Sequence, residues 1–152
     1  MDASDKPLRQ GHRLLQLGVL LFLLALIVGL VVPKFTVPRL GLSVHLLGIM
    51  QGLFLMVIGI LWPRLRLTHV TFRAGFWFAV YGCFSAWTAN LLAGIWGAGN
   101  SMLPMAAGTV RGSEPQETII ALALRSAALS LIVAAILILW GLRAFASDKS
   151  DK

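Results

Sequence analysis

Charge is scarce in this chain. Asp, Glu, Lys and Arg make up 12% of its 152 residues, against roughly a quarter in an ordinary soluble domain. With 58% hydrophobic residues and a mean hydropathy of +0.84, that scarcity excludes a solvent-facing globular domain and points to lipid as the solvent. Cysteine occurs once, at Cys83, so no intrachain disulfide can form and the redox compartment stays open. A small buried core residue is its expected role. No HExxH, CxxC, GxSxG or Walker A pattern occurs, which leaves zinc-protease, thioredoxin-like, serine-hydrolase and P-loop chemistry without support. No repeat of 20–50 residues stands out either.

What is present is apolar and arranged in four blocks, 14–32, 40–62, 74–96 and 119–142. Each is long enough to cross a hydrocarbon core of roughly 30 Å at about 1.5 Å per residue. The expected fold is all-α: a four-helix transmembrane bundle forming a single multi-pass domain over 1–152, embedded in an inner or plasma membrane. The first block lacks a small-x-small cleavage site and runs into Pro33-Lys34-Phe35, so it reads as a span rather than a cleaved signal peptide. The net charge of +7 follows topology. Lys6, Arg9, Arg13, Arg64, Arg66, Arg73, Arg143, Lys149 and Lys152 lie on one side of such a bundle, and Lys34, Arg39 and Arg111 on the other. Nine against three predicts cytoplasmic N and C termini and no nucleic-acid partner. Residues 1–13 and 144–152 read as polar tails outside the spans, with His12 solvated. Trp62, Trp77, Trp96 and Trp140 sit near block ends, as an interfacial aromatic belt would place them.

Pro33 and Pro38 punctuate a tight outer connection, and the inner one, 63–69, offers Arg64, Arg66 and His69 to lipid headgroups. The third connection, 97–118, is long and rich in glycine and proline, a length more typical of lids and binding loops. Its Met102, Leu103, Met105, Ala106 and Ala107 are too apolar for a solvated loop. The segment is expected to fold back on the outer mouth of the bundle, as a lid or as plain re-entrant packing. Ser113-Glu114-Pro115-Gln116 has the form of a capping box for the fourth helix.

His45 is the one histidine inside an apolar block, and ionisable or metal-ligating groups at membrane depth usually mark function. It shares a helical face with Gly41, Gly48, Gly52 and Gly59. That bare face suits either close helix packing through the Gly48/Gly52 pair or a planar cofactor, with His45 as an axial iron ligand. Antiparallel threading brings other polar groups to a similar depth. His45, Arg125 and Asn90 each lie roughly 8–9 Å below the outer face at helical rise, with Gln51 beneath. They could bond between helices, with Arg125 snorkelling, or line a pocket. With one intramembrane histidine, a chain that held haem would leave an iron position open.

The stretch Gly41-Leu-Ser-Val-His-Leu-Leu-Gly-Ile-Met-Gln-Gly52 resembles the second-helix motif of the hydroxylaminobenzene mutases. So do Leu61-Trp-Pro-Arg-Leu-Arg-Leu67, Trp96-Gly-Ala-Gly99 with Met102-Leu-Pro-Met105, Gln116-Glu117, and Leu139-Trp-Gly-Leu-Arg143. The His45 to Gly52 core also resembles that of styrene oxide isomerase. The resemblance implies a membrane enzyme that turns a hydroxylamino-arene into an aminophenol by intramolecular transfer of the hydroxyl. It also implies haem b as Lewis acid and a homo-oligomer, a trimer in the isomerase. Carried over by position, His45 would be the metal ligand, with Gly41, Gly48 and Gly52 beside the cofactor. Arg125 would pair with a propionate, and Gln51 and Asn90 would serve the substrate. The mutase pattern often has an acidic residue where this chain has Leu47, and Asn where it has Gln51. The helix-three tyrosine of the isomerase has no counterpart near Asn90. The alternative from another class is a non-catalytic membrane subunit or small-molecule carrier packed through the Gly48/Gly52 face.

Overall fold

The computed structural model describes the backbone of residues 5–147 and the side chains of residues 7–143. Helix α1 covers Asp5–Val31, α2 Pro38–Leu61, α3 His69–Trp96, the single turn α4 Pro104–Ala107, and α5 Glu114–Ser147. No strand occurs among the described residues. Helices α1, α2, α3 and α5 are each long and apolar enough to cross a membrane, so the all-α, four-span architecture stands.

The helices outrun their apolar blocks. Residues 5–13 are the first turns of α1 rather than a tail. Gln10 has a partner there, its Oε1 accepting the Trp62 indole N–H at 3.1 Å, and Gly11 packs on Gly59. The remaining tail positions, 1–4 and 148–152, lie outside the described residues. Trp62 is therefore no interfacial belt residue: it is fully buried under α1. Trp77, Trp96 and Trp140 do face outward, and Cys83 is fully buried.

Local chemistry explains the helix ends. Pro38 opens α2 at a position where a missing N–H costs nothing. Thr68 caps α3, its Oγ1 accepting from the Thr71 N–H. Gly97 stops α3 with φ of 63°, a conformation costly for any residue with a Cβ. The capping box at α5 is half formed: the Ser113 N–H donates to Gln116 Oε1 at 2.9 Å.

The spans pack as a row. α1 lies chiefly on α2, α2 also on α3, and α5 chiefly on α3. Hydroxyls stitch the last pair, with Ser130 Oγ donating to the Phe78 carbonyl at 2.9 Å and Tyr81 Oη sharing a hydrogen bond with Ser126 Oγ. The α1–α2 seam is closer still. A Cβ on Gly52 would lie 2.8 Å from the Gly18 carbonyl oxygen, and one on Gly59 2.8 Å from that of Gly11. Only glycine lets two backbones approach this way. Gly11, Gly18 and Ala25 on α1 thus meet Gly59, Gly52 and His45 on α2, in steps of seven on each helix. A seven-residue step keeps one face toward an antiparallel neighbour.

The third connection does fold back. Leu103, Ala106 and Ala107 join Val37, Leu40, Ala93, Ala98 and Ile120 in a second apolar cluster. Glu117 ties the segment down, its carboxylate accepting the backbone N–H groups of Gly99, Asn100, Ser101 and Gly112 at 2.9–3.2 Å.

Candidate active site around His45

The heptad seam decides what His45 does. At the two earlier steps of seven, glycines let the backbones touch. At the third, the partner is Ala25 and the α2 residue is histidine. The imidazole lies into the seam, with Nδ1 2.8 Å from the Ala25 carbonyl oxygen. Space for the ring comes from Gly29, where a Cβ would sit 2.6 Å from Nδ1 and 2.7 Å from Cε1. A carbonyl can only accept, so Nδ1 carries the hydrogen, and in the neutral ring Nε2 keeps its lone pair. Nε2 has no hydrogen-bond partner and is not sealed inside the chain. A backbone carbonyl on one ring nitrogen, with the other free, is how metal-ligating histidines are oriented.

The glycine row does not form the open slot expected of it. Gly48 is covered by Ala25 and by Trp87, whose Nε1 would lie 2.6 Å from an added Cβ. Gly52 is covered by Gly18 and Phe22, Gly59 by Gly11 and Leu15, and Gly41 by the Phe35 ring. Within one chain these glycines serve helix packing, and no flat group fits on them. The same packing removes the Gly48/Gly52 face as a docking surface for another protein, which was the basis of the carrier or subunit reading. His45 therefore fits a haem ligand, while Gly41, Gly48 and Gly52 do not fit a cradle for the ring.

Two buried polar atoms beside this seam have no partner. They are Gln51 Oε1, an acceptor one turn beyond Gly48, and Trp87 Nε1, a donor against Gly48. Leaving a buried polar atom unpaired costs about 1–3 kcal/mol, and native structures rarely tolerate it without a reason. Asn90 is also buried, but its amide nitrogen is spent on the Ala86 carbonyl of its own helix at 3.0 Å. Arg125 is exposed on α5 and makes no described contact. No contact joins it to His45, which turns to α1. The expected polar layer therefore resolves into His45, Gln51 and Trp87 near the α1–α2–α3 junction, with Arg125 apart from them. Ala25 and Gly29 were missed in the sequence. The signal that could have found them is the seven-residue spacing of Gly11, Gly18 and Ala25 facing Gly59, Gly52 and His45.

Comparison with known proteins identifies the family. The chain is 50% identical over 141 residues to hydroxylaminobenzene mutase HabB of Ectopseudomonas oleovorans, covering 93% of this chain and 85% of that protein. Hydroxylaminobenzene mutase HabA of the same organism is 38% identical over 125 residues, 82% of this chain and 93% of the relative. No solved structure gives a significant match. The family model for styrene oxide isomerase matches residues 10–143, a stretch that takes in all four spans, His45 and both unpaired atoms. The chain belongs to the styrene oxide isomerase family, and it is an isomerase of that family's mutase kind.

Proposed function

We propose that this chain converts a hydroxylamino-arene into the ortho-aminophenol within one substrate molecule, with haem b held by Nε2 of His45. The substrate class rests on the names of the two mutase relatives. The haem rests on one observation, the imidazole whose Nδ1 is committed to the Ala25 carbonyl and whose Nε2 is free. When bound, haem would supply an electrophilic iron that polarises a substrate heteroatom.

In the overall reaction the N–O bond breaks and a C–O bond forms at the ortho carbon. The proton lost there is balanced by one gained at nitrogen, so no outside oxidant or reductant is needed. The chain's contribution is orientation and exclusion of water. A substrate held at the iron and inserted from there between α2 and α3 would offer an N–H or O–H to Gln51 Oε1 and take a hydrogen bond at its oxygen from Trp87 Nε1–H. Both atoms are otherwise unsatisfied, so pairing them with substrate is favourable. Because α1, Phe35 and Trp87 fill the glycine row, the planar group would lie on the outward side of His45. There Leu42, Leu46, Met50 and Leu53 are exposed. A second copy of the chain would close that side, giving a homo-oligomer, a trimer as in the isomerase relative. Arg125 of α5, exposed and free, is available to a propionate from such a neighbour.

The test is a visible spectrum and an assay on detergent-purified protein. A Soret band that disappears in His45→Ala, with conversion of phenylhydroxylamine to 2-aminophenol lost in parallel, supports the proposal. Colourless, folded protein that still makes aminophenol would remove haem and leave the mutase. Haem-loaded protein that leaves phenylhydroxylamine unchanged would do the reverse.

A further inference from the structure

At the end of the bundle opposite the α4 connection, a cavity of about 420 Å³ opens between the first turns of α1 and the start of α3. That volume is in the range of small-ligand sites. Three of the side chains lining it are basic: Arg9 and Arg13, one turn apart on α1, and His69, the first residue of α3. Among the described residues none of the three has a hydrogen-bond or ion-pair partner, and no described acidic side chain lines the space. Glu114 and Glu117, the acidic side chains among the described residues, lie at the other end of the molecule. The cavity also faces the N-terminus of a 28-residue helix, whose dipole adds positive potential there. Two arginines one turn apart repel one another, and an anion between them relieves that repulsion.

The rest of the wall says which kind. Leu67 and Phe72 form an apolar side to the cavity, and Leu8 beside it is exposed. A soluble anion gains nothing from such a wall. An amphiphile with a phosphate at the level of the arginines and acyl chains along the exposed leucines of α1 uses both halves. Arg9 and Arg13 directly precede the apolar run that begins at Leu14, the depth at which lipid phosphates lie.

We propose that Arg9, Arg13 and His69 form a specific site for the phosphodiester headgroup of an anionic phospholipid, seated between α1 and α3. Arginine matches phosphate oxygens with paired donors, and Gln10, already bonded to Trp62, holds the α1 turn that carries both arginines.

Purified full-length protein in a neutral detergent tests this by native mass spectrometry. It would be titrated in turn with phosphatidylglycerol, phosphatidylcholine and inorganic phosphate. Wild type should take up one phosphatidylglycerol per chain at least tenfold more tightly than phosphatidylcholine, and should gain no thermal stability from phosphate. The double variant Arg9→Gln/Arg13→Gln should lose that preference, while Arg64→Gln/Arg143→Gln, with the same charge removed, should keep it within about twofold. Arg13→Lys, which retains charge but not the forked donor, should fall between and guards against misfolding in the double variant. Equal loss in both doubles would mean diffuse surface attraction and would overturn the site. Equal stabilisation by phosphate would assign the cavity to a soluble anion and overturn the lipid.

Discussion

At the scale of single residues, the site is an exercise in what neighbours leave out. Gly29 has no Cβ, and the His45 ring occupies the space. Gly29→Ala should displace the ring from the Ala25 carbonyl and cost about 1–3 kcal/mol, the usual range for overpacking. A lower unfolding temperature together with a weakened or shifted Soret band would register both effects. Trp87→Phe is expected to behave differently. It removes an unpaired buried donor, which is favourable, and leaves a small void, which is not, so stability should change by no more than about 1 kcal/mol. Turnover of phenylhydroxylamine should nonetheless fall at least tenfold. Unchanged turnover would take Trp87 out of substrate binding. His45 was legible in the sequence because an imidazole in an apolar run is rare. Its partner was not, because a backbone carbonyl leaves no mark on the residue that carries it, and Ala25 looks like any small residue in a span.

Among the elements, the connection between α3 and α5 depends on one carboxylate. Glu117 gathers N–H groups from residues that have no ladder of their own, as buried or half-buried backbone donors require. Glu117→Gln turns one acceptor oxygen into an NH₂ group facing donors. Hydrogen exchange across 98–113 should accelerate at least tenfold, with the α1–α2 hairpin unaffected. Uniform acceleration over the whole chain would show that the carboxylate supports more than its loop. Apolar composition was enough to indicate that this segment turns inward, since Leu103 and Ala107 need cover. It did not reveal Glu117, because the residues it holds are 5 to 18 positions away and contribute only backbone. Nor did hydropathy mark where α1 begins. Arg9, Gln10 and Arg13 read as a tail until Trp62 and Gly59 are seen to hold that turn in place.

For the molecule as a whole, the row of helices leaves its ends uncovered. α1 and α5 each expose long apolar faces, and α2 exposes Leu42, Leu46, Met50 and Leu53. Mass photometry in detergent should find more than one chain per particle, and dilution to monomer should abolish haem retention before it unfolds the helices. The basic end, where α1 begins and α5 ends, is expected in the cytoplasm. In a Cys83→Ala background, Ser101→Cys should react with an impermeant maleimide added to intact cells, and Thr68→Cys should not. The reverse pattern would invert the topology. The number of spans could be read from hydropathy because each must satisfy its own backbone in lipid. Their lateral order could not, since it depends on which small residues face which.

The seven-residue beat of the α1–α2 seam also makes the histidine a gauge. A slide of one helix along the other by any distance other than a full repeat would withdraw the carbonyl from Nδ1 and let the ring's hydrogen relocate. The ¹⁵N shifts of the two imidazole nitrogens in apo protein should therefore report, from a single side chain, whether the entire hairpin is aligned.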